Sequence, residues 1–445
     1  MRRIPAGAIL IAGWIVLVLY AFPGVMTMDS FDQLHEGRAW FFTDAHPPMM
    51  AALWGVLDRI VAGPFPMLLL QSGAFLGGLF LILRRALPPR AAAITAVAIF
   101  LFPPVLAPMA VIWKDCQMAG FLALGIAAIL AEDRRWKLAG LALFSLATAM
   151  RYNAPAATFP VILLCFTWRP PARTMRWYAR YPLALATWLI VTVVAMGANS
   201  LLVDREMHFW HSSLALEDIV GTLAHTEPDL PDSELAPLLA PTGVLVDHDY
   251  HARLRARYLP YDFQQLVSGD GHLWDVPLRG IDPAPVAQRD AIERAWKAIV
   301  PTHLAAYAAY RADVMADVLG LRRKFQGATV IRHSAQYPGM LAASHISLIE
   351  TPISRTGENI TMWTVHHTRW FRPHVYVLLS LGLLLLCRRQ REVAAILLSG
   401  LGLEASLAPL VQATDFRYSH WLVTCTLVGL VMLFVRRLRD IGGGA

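Results

Sequence analysis

Long apolar runs separated by short polar stretches make up most of this chain. Runs of roughly 17–22 apolar residues have the length of a helix that crosses a ~30 Å hydrocarbon layer. The pattern predicts ten transmembrane helices, at 5–25, 66–83, 91–112, 116–131, 138–150, 154–168, 182–203, 374–386, 393–411 and 421–435. The run at 49–60 is shorter and is followed by a Gly-Pro turn, which favours a helix lying along the membrane surface.

One long polar region, residues 204–373, interrupts this pattern between the seventh and eighth predicted crossings. Within it, apolar residues recur at helical spacing over 284–320. We therefore expect an all-α polytopic membrane protein in three parts. These are an N-terminal membrane module (1–203), a mostly helical extracytoplasmic domain (204–373) and a C-terminal membrane module (374–445).

The composition agrees with a membrane protein: 56% of residues are hydrophobic, 16% are charged, and the mean hydropathy is +0.47. The net charge of +7 does not indicate nucleic-acid binding, because the basic residues gather in short loops such as that of Arg84 and Arg85. This positive-inside pattern predicts a cytoplasmic N-terminus, with residues 28–48 and the polar region outside. We expect a bacterial-type cytoplasmic membrane, a site facing the periplasm or exterior, and a first helix that is retained rather than cleaved as a signal peptide.

Several common chemistries find no support in the sequence. All four cysteines lie inside apolar runs without CxxC spacing, which predicts neither disulfides nor a structural zinc site. The histidines of the polar region are scattered and lack the spacing of metal ligands. Gly-x-Ser-x-Gly and Walker-type loops are absent, which disfavours a serine hydrolase or a nucleotide-driven protein.

The acidic stretch 28–48, between the first crossing and the surface helix, holds the first group of candidate residues. A carboxylate at the membrane surface can take a proton from a hydroxyl, or bind a divalent cation together with phosphate oxygens. Helix capping and simple solvation are the alternatives, and His35 and Glu36 are interpreted as ordinary loop residues. Asp29 and Asp44 are the candidate catalytic residues, Asp29 is also the candidate metal ligand, and Asp32 and His46 are candidate substrate-binding residues.

The second group of candidates comes from three short turns assigned to the same side. Each turn carries one cation, although the positive-inside bias discourages cations there. Arginine suits bidentate phosphate recognition and lysine acts as a point charge, so the turns predict a shared anionic site. Solvated turns with snorkelling side chains are the alternative. The candidate binding residues are Lys114 and Asp115, Arg151 and Asn153, and Arg417 and Tyr418.

Two polar residues lie inside predicted crossings. An ionised Glu404 in the ninth run would cost several kcal/mol to bury, so we expect it to be protonated, paired with an arginine or next to a cavity. Asn199 in the seventh run either lines the same cavity or makes a hydrogen bond between helices.

Taken in order, these residues resemble the GT-C superfamily of integral-membrane glycosyltransferases, in particular those related to the protein O-mannosyltransferases and the aminoarabinose transferase. The resemblance covers the membrane core well and the polar region weakly. Its motifs are Asp29-Ser30-x-x-Gln33, Asp44-x-His46-Pro47-Pro48, Trp113-Lys114-Asp115, Arg151-x-Asn153, Pro301-Thr302-His303…Tyr307…Arg311 and Arg417-Tyr418.

The resemblance implies a polyprenyl-phosphate-linked sugar donor, a glycan, lipid or protein acceptor, and inversion at the anomeric carbon. It also implies that Asp29 is the base or contacts a divalent cation (Mg, Mn or Zn). Many relatives carry paired acids in this loop, whereas here the second acid comes three positions later, at Asp32. Whether Asp32 or Asp44 assists Asp29 therefore stays open.

A transporter or flippase of lipid-linked glycans is the alternative function. Such a protein should show broken helices near mid-depth or internal repeats. Here the charges, apart from Glu404, gather at one surface, and a large one-sided polar region fits a surface enzyme better. A polymerase or ligase of surface glycans would use the same lipid-linked chemistry, and the sequence does not separate it from a transferase.

Overall fold

The computed structural model describes residues 4–167, 176–277, 282–322, 337–347, 349–387 and 390–442. The helices are α1 (Ala6–Ala21), α2 (Met28–Ala39), α3 (Pro48–Asp58), α4 (Phe65–Leu83), α5 (Pro89–Phe100), α6 (Pro103–Met109), α7 (Lys114–Ile129), α8 (Arg134–Met150), α9 (Pro155–Cys165), α10 (Trp177–Leu202), α11 (Leu216–Ala224), α12 (Asp232–Leu239), α13 (Tyr250–Arg257), α14 (Val286–Ile299), α15 (Leu304–Val318), α16 (Pro338–Ala343), α17 (Pro352–His367), α18 (Pro373–Leu386), α19 (Arg391–Ala405) and α20 (His420–Gly442).

The expectation of a helical protein is confirmed. Within the described ranges there is no β-strand, only four isolated backbone bridges, which join residues 25 to 111, 43 to 205, 244 to 274 and 262 to 413. Each predicted apolar run coincides with a helix, except at the third and ninth, although α10 begins five residues before its run and α20 extends seven residues beyond its run. The helix at the ninth predicted run, α19, ends at Ala405, and irregular chain follows it up to Asp415.

The structure supports fewer membrane spans than the ten expected. Phe65–Leu83, Trp177–Leu202 and Phe416–Arg439 are long and apolar enough to cross a membrane. The expected third crossing is broken: α5 and α6 meet at 71° and would make a fourth span if counted as one. Pro103 and Pro104 explain the break, since proline cannot continue the hydrogen-bond ladder of a preceding helix. Three more apolar helices, α1, α9 and α18, are shorter.

The apolar helices pack into one bundle through close contacts at small residues. Gly78 of α4 lies against the backbone of Ala123 in α7, and Gly125 of α7 lies against the ring of Phe144 in α8. Only a residue without a side chain allows helices to approach this closely. Helix α10 differs, because Ile190, Val193 and other large apolar residues are exposed along it, as expected of a lipid-facing helix.

Residues 204–322, here called the insert, fold over one end of this bundle around a second apolar core. Leu216, Ile219 and Ile292 are among its buried residues. The helical spacing over 284–320 divides into α14 and α15, separated by a 3-10 turn at Pro301–His303. The proline at the start of this turn accounts for the division, because it removes a backbone donor.

The acidic stretch, expected to be a loop, begins with a regular helix, α2. Helices α2 and α3 cross with direct backbone contact between Gly37 and Gly55. A Cβ atom on Gly37 would lie 2.5 Å from the carbonyl oxygen of Ala51, closer than real atoms allow. The crossing therefore fixes where the polar face of α2 lies on the bundle.

Gly37→Ala is expected to destabilise the protein. Overpacking of a close contact typically costs about 1–3 kcal/mol, more than the gain of up to ~1 kcal/mol from placing Ala in a helix. The melting temperature in detergent should fall by several degrees. Gly197→Ala in α10 is the matched control, because a Cβ there meets nothing within 4 Å. Equal melting temperatures for the two variants would contradict the proposed crossing.

Candidate functional site

The start of α2 is hydrogen-bonded to the segment that precedes α7. We call this connection, between residues 25–30 and 109–113, the lock. Val25 donates a backbone hydrogen bond to Ala110 (3.1 Å) and accepts one from Ile112 (2.9 Å). Thr27 caps α2 in a capping box with Ser30, and the indole of Trp113 donates to the Thr27 hydroxyl (2.9 Å). Because Thr27 caps the helix, the next acid, Asp29, does not do so and its carboxylate is available for other contacts.

Two buried glutamines hold the other side of this lock. The amide of Gln71, in α4, donates to the carbonyl oxygens of Met109 (2.8 Å) and Val111 (2.9 Å). Gln117, in α7, donates to the side-chain oxygen of Gln71 (3.0 Å). The buried amide of Gln71 is engaged through its nitrogen and its oxygen, which makes a rigid connection. The lock therefore fixes Asp29 and Lys114, which lie just beyond it on two different helices.

Asp29 forms the central ion pair of the site. Its Oδ2 lies 2.8 Å from Nη2 of Arg417, and its Oδ1 lies 3.9 Å from Nε2 of His46. Nδ1 of His46 lies 2.8 Å from Nζ of Lys114. Burial acts to raise the pKa of the Asp29 carboxyl, but the charges of Arg417, His46 and Lys114 outweigh it and hold that pKa well below its ordinary value. Asp29 is therefore an ionised, weakly basic carboxylate while this pairing lasts.

Arg417 is held from three sides besides Asp29. Its Nε lies 3.3 Å from Oδ2 of Asp415, and its backbone N–H donates to Oδ1 of the same residue (3.0 Å). The guanidinium carbon lies 4.7 Å from the centre of the Trp113 ring, in cation–π geometry. Arg417 is thus stacked on Trp113, whose indole also donates to Thr27, the residue that caps α2.

Arg151 approaches from the opposite side, at the end of α8. It forms an ion pair with the buried Asp115, and its Nε donates to Oδ1 of Asn153 (3.0 Å). Asn153 donates in turn to the Ser406 hydroxyl (2.9 Å), just after α19. The Tyr418 ring lies 4.9 Å from the guanidinium carbon of Arg151 and 5.2 Å from that of Arg417. Tyr418 therefore links the two arginines.

Two neighbouring cavities open around these residues. The larger, about 690 Å³, is lined by Asp29, Asp32, His46, Arg417 and, from the insert, Phe263, among others. The smaller, about 290 Å³, is lined by Arg151, Asn153, Pro47 and the apolar residues Leu407, Leu410 and Val411, among others. Lys114 and Tyr418 line both cavities. A polar group bound where the two cavities meet would therefore contact Lys114. The apolar residues of the smaller cavity would lie on one side of that group.

The remaining candidates from the acidic stretch take different positions. Asp44 accepts a hydrogen bond from the backbone of Met207 and so ties the stretch to the insert. His35 and Glu36, interpreted from sequence as loop residues, lie on α2 and line the larger cavity. Glu36 accepts hydrogen bonds from the backbone and hydroxyl of Thr43 (3.1 and 2.6 Å), and burial raises the pKa of its carboxyl.

Glu404 and Asn199 also have defined partners. Oε1 of Glu404 accepts from the Ser419 hydroxyl (2.9 Å), and Glu404 lies buried in the last turn of α19. Asn199 donates to the carbonyl oxygen of Ala149 (3.0 Å) and accepts from the Met49 N–H (3.2 Å). It therefore joins α10 to α8 and α3 and does not line either cavity.

The insert forms several hydrogen bonds with the segment 411–414, which lies just before Arg417. Nη1 of Arg311 donates to the carbonyl oxygen of Val411 (2.8 Å). Gln412 donates to Ser213 (2.9 Å), and the Thr414 hydroxyl donates to Asp317 (2.8 Å). The Thr414 N–H donates to the carbonyl oxygen of Tyr261 (3.1 Å). The insert therefore positions the chain that delivers Arg417 and Tyr418.

Arg311 is itself firmly held. Its guanidinium is buried, pairs with Asp218, and lies 4.7 Å from the centre of the Tyr310 ring. Asp218 also accepts from the indole of Trp296 (2.9 Å). Because Arg311 is buried and its guanidinium contacts several partners, it has little freedom to move. It therefore acts as a tether that holds segment 411–414 against the insert.

Several residues that shape the site carry no local sequence signal. Phe263, Gln412 and Met207 line the larger cavity from loops that no motif marks. Their roles arise from contacts between distant parts of the chain.

A metal site finds little support in the side chains present. Among the described residues, no group of three or more His, Cys, Asp or Glu side chains is arranged to hold a metal ion. Asp29, the candidate ligand, has Arg417 and Lys114 as electrostatic neighbours, and nearby cations disfavour a divalent ion.

Comparison of the chain with protein-family models, with curated proteins and with solved structures gives no match in any of the three.

Arg311→Met is expected to loosen segment 411–418 without unfolding the bundle. Removing one partner of a buried, charge-assisted hydrogen bond costs about 1–3 kcal/mol, so amide exchange in this segment should accelerate tenfold or more. Hydrogen exchange with mass spectrometry measures this, and Arg311→Lys should show a smaller effect. Arg294→Met, an exposed change on α14, is the control. Unchanged exchange at 411–418 in Arg311→Met would contradict the tether.

Proposed function

We propose that this protein is a membrane glycosyltransferase that moves a sugar from a polyprenyl-phosphate carrier to an acceptor hydroxyl. The proposal retains ten membrane crossings, including the shorter apolar helices, and a site on the periplasmic or exterior face of the cytoplasmic membrane. The acceptor is a glycan, a lipid or a protein. The resemblance of the motifs to those of the GT-C superfamily also supports the proposal.

The observation that carries the proposal is the meeting of Lys114, Arg151 and Arg417, from three distant turns, around two adjoining cavities. Three cations at one place suit a phosphate group, since each can donate to its oxygens. The smaller cavity, with Leu407, Leu410 and Val411, suits the phosphate and the first isoprene units of the carrier. The larger cavity then receives the sugar and the acceptor.

In the proposed reaction, the acceptor oxygen attacks the anomeric carbon as its proton passes to Asp29. The bond from that carbon to the phosphate oxygen breaks, and the carrier phosphate leaves with the electron pair, held by the three cations. Stabilisation of this developing negative charge, together with positioning, supplies most of the acceleration. Attack from the side opposite the phosphate inverts the anomeric configuration.

Asp29 becomes a better base when the donor binds. Paired with Arg417 its carboxyl has a depressed pKa, which suits a structural carboxylate more than a proton acceptor. A donor phosphate that shares Arg417 weakens this pairing, so the pKa of Asp29 rises toward its ordinary value. Asp32 lines the same cavity and can assist, whereas Asp44 supports the loop through its bond to Met207. A divalent cation at Asp29 stays an alternative, which chelation tests.

The bent pair α5–α6 favours the alternative of a transporter or flippase, because broken helices form substrate sites in many transporters. The break lies at residues 101–102, and the short helix α6 leads from it to the lock, where Gln71 binds the carbonyl oxygens of Met109 and Val111. It therefore serves the positioning of Lys114, which favours the enzyme.

Asp29→Asn is expected to reduce sugar transfer by about 100-fold or more, since a positioned general base contributes 10²–10⁴-fold. The assay uses the full chain in nanodiscs with a panel of polyprenyl-phosphate sugars, with and without chelator. Asp270→Asn, an exposed change in the insert, should retain full activity. A fully active Asp29→Asn enzyme, or a wild type that transfers no sugar from any donor but moves lipid-linked glycans across the bilayer, would contradict the proposal.

A further inference from the structure

Helix α17 has its polar and apolar sides reversed relative to a helix of a soluble domain. Its buried stripe is polar and consists of Ser354, Glu358, Thr361 and Thr364. Large apolar residues point outward instead: Ile353 is 47% exposed, Ile360 is 52% exposed and Trp363 is 56% exposed. At 3.6 residues per turn these three positions fall within a sector of about 80°. The same sector also holds two exposed polar residues, Thr356 and His367.

The buried hydroxyls of α17 bond within the helix, and α1 packs against the same side. The hydroxyls of Thr361 and Thr364 donate to the carbonyl oxygens of Gly357 (2.8 Å) and Thr361 (2.7 Å). Tyr20, in α1, lies against Gly357 and hydrogen-bonds with Thr361. The inner side of α17 is thus a specific contact, which fixes the direction in which its apolar side points.

The apolar side of α17 is continuous with that of α1. Helix α1 carries no charge and exposes Ile11, Ile15 and Leu19, spaced four residues apart along one side. The hydroxyl of Thr351, two residues before Ile353, approaches the carbonyl oxygen of Leu19 (3.5 Å). An uncharged helix with such a stripe requires an apolar surrounding, and α17 begins where this stripe ends.

The far end of α17 reaches another helix end on the same side of the bundle. The ring of Trp370, three residues after α17, lies 5.0 Å from that of Phe102, between α5 and α6. Helix α17 therefore runs from the end of α1 to the α5–α6 bend, across the bundle rather than along it. The remaining exposed sector holds Arg355, Asn359 and His366.

We propose that α17 lies in the membrane–water interface on the insert side, with Ile353, Ile360 and Trp363 among the lipid chains. Arg355, Asn359 and His366 then face the headgroups and water. Continuity with α1 favours lipid over a second copy of the chain, and a tryptophan at this depth is typical of membrane interfaces. The helix anchors the insert to the bilayer surface, whatever reaction the site performs.

Spin labels test this placement in nanodiscs. Ile360→Cys and Trp363→Cys are labelled in a Cys165→Ser background, because the other three cysteines are buried. Collisions with oxygen should exceed those with a water-soluble nickel chelate by several-fold at both positions. Asn359→Cys, the neighbouring control on the water-facing sector, should show the reverse.

Chelate collisions at 360 and 363 equal to those at 359 would overturn the proposal, as they would place the apolar side in water. Low collision rates with both reagents would also overturn it, since the side would then be covered by protein, such as a second copy. As a check that needs no substitution, a lipid-borne carbene label on the wild-type chain should modify residues 352–367. Absence of adducts there, with adducts on α10, would likewise refute it.

Discussion

The ion pair between Asp29 and Arg417 joins the first and last parts of the chain, and the site depends on it. Each partner is fixed separately. The hydrogen bonds of the lock, which includes Thr27 and Trp113 and is held by Gln71, position Asp29. Arg417 is positioned by Asp415 and by the hydrogen bonds between the insert and residues 411–414. Because neither partner can relax far, the pair stays formed in a region where Lys114 and Arg151 would otherwise repel Arg417. A buried cation left without its partner is costly.

The same pair explains why the site can bind an anion and yet be stable without one. Three cations close together in a poorly solvated place need compensating charge, and Asp29, Asp115 and Asp415 supply it. A phosphate would offer a stronger partner to the same guanidinium and would release Asp29 in doing so. In the proposed reaction Asp29 balances the charge of Arg417 and becomes a proton acceptor when the donor phosphate binds.

The sequence predicted the helices because apolar runs indicate buried or lipid-facing helices. It also assigned the cations of several turns to one level, whereas their lateral positions depend on how the helices pack. What it could not reveal depends on contacts between distant residues. Examples are the α5–α6 bend, the bond of Asp44 to Met207, the tether from Arg311 to Val411, and the reversed sides of α17. Asn199, whose two roles were left open, proved to join helices.

The most direct test of the account is the affinity of the protein for a polyprenyl monophosphate in nanodiscs. If Asp29 competes with the phosphate for Arg417, Asn at position 29 should tighten binding several-fold, whereas Arg417→Gln should weaken it by a similar factor or more. The opposite signs matter, because simple misfolding would weaken both. Weaker or unchanged binding in a folded Asp29→Asn protein would contradict the claim that this ion pair occupies the phosphate site.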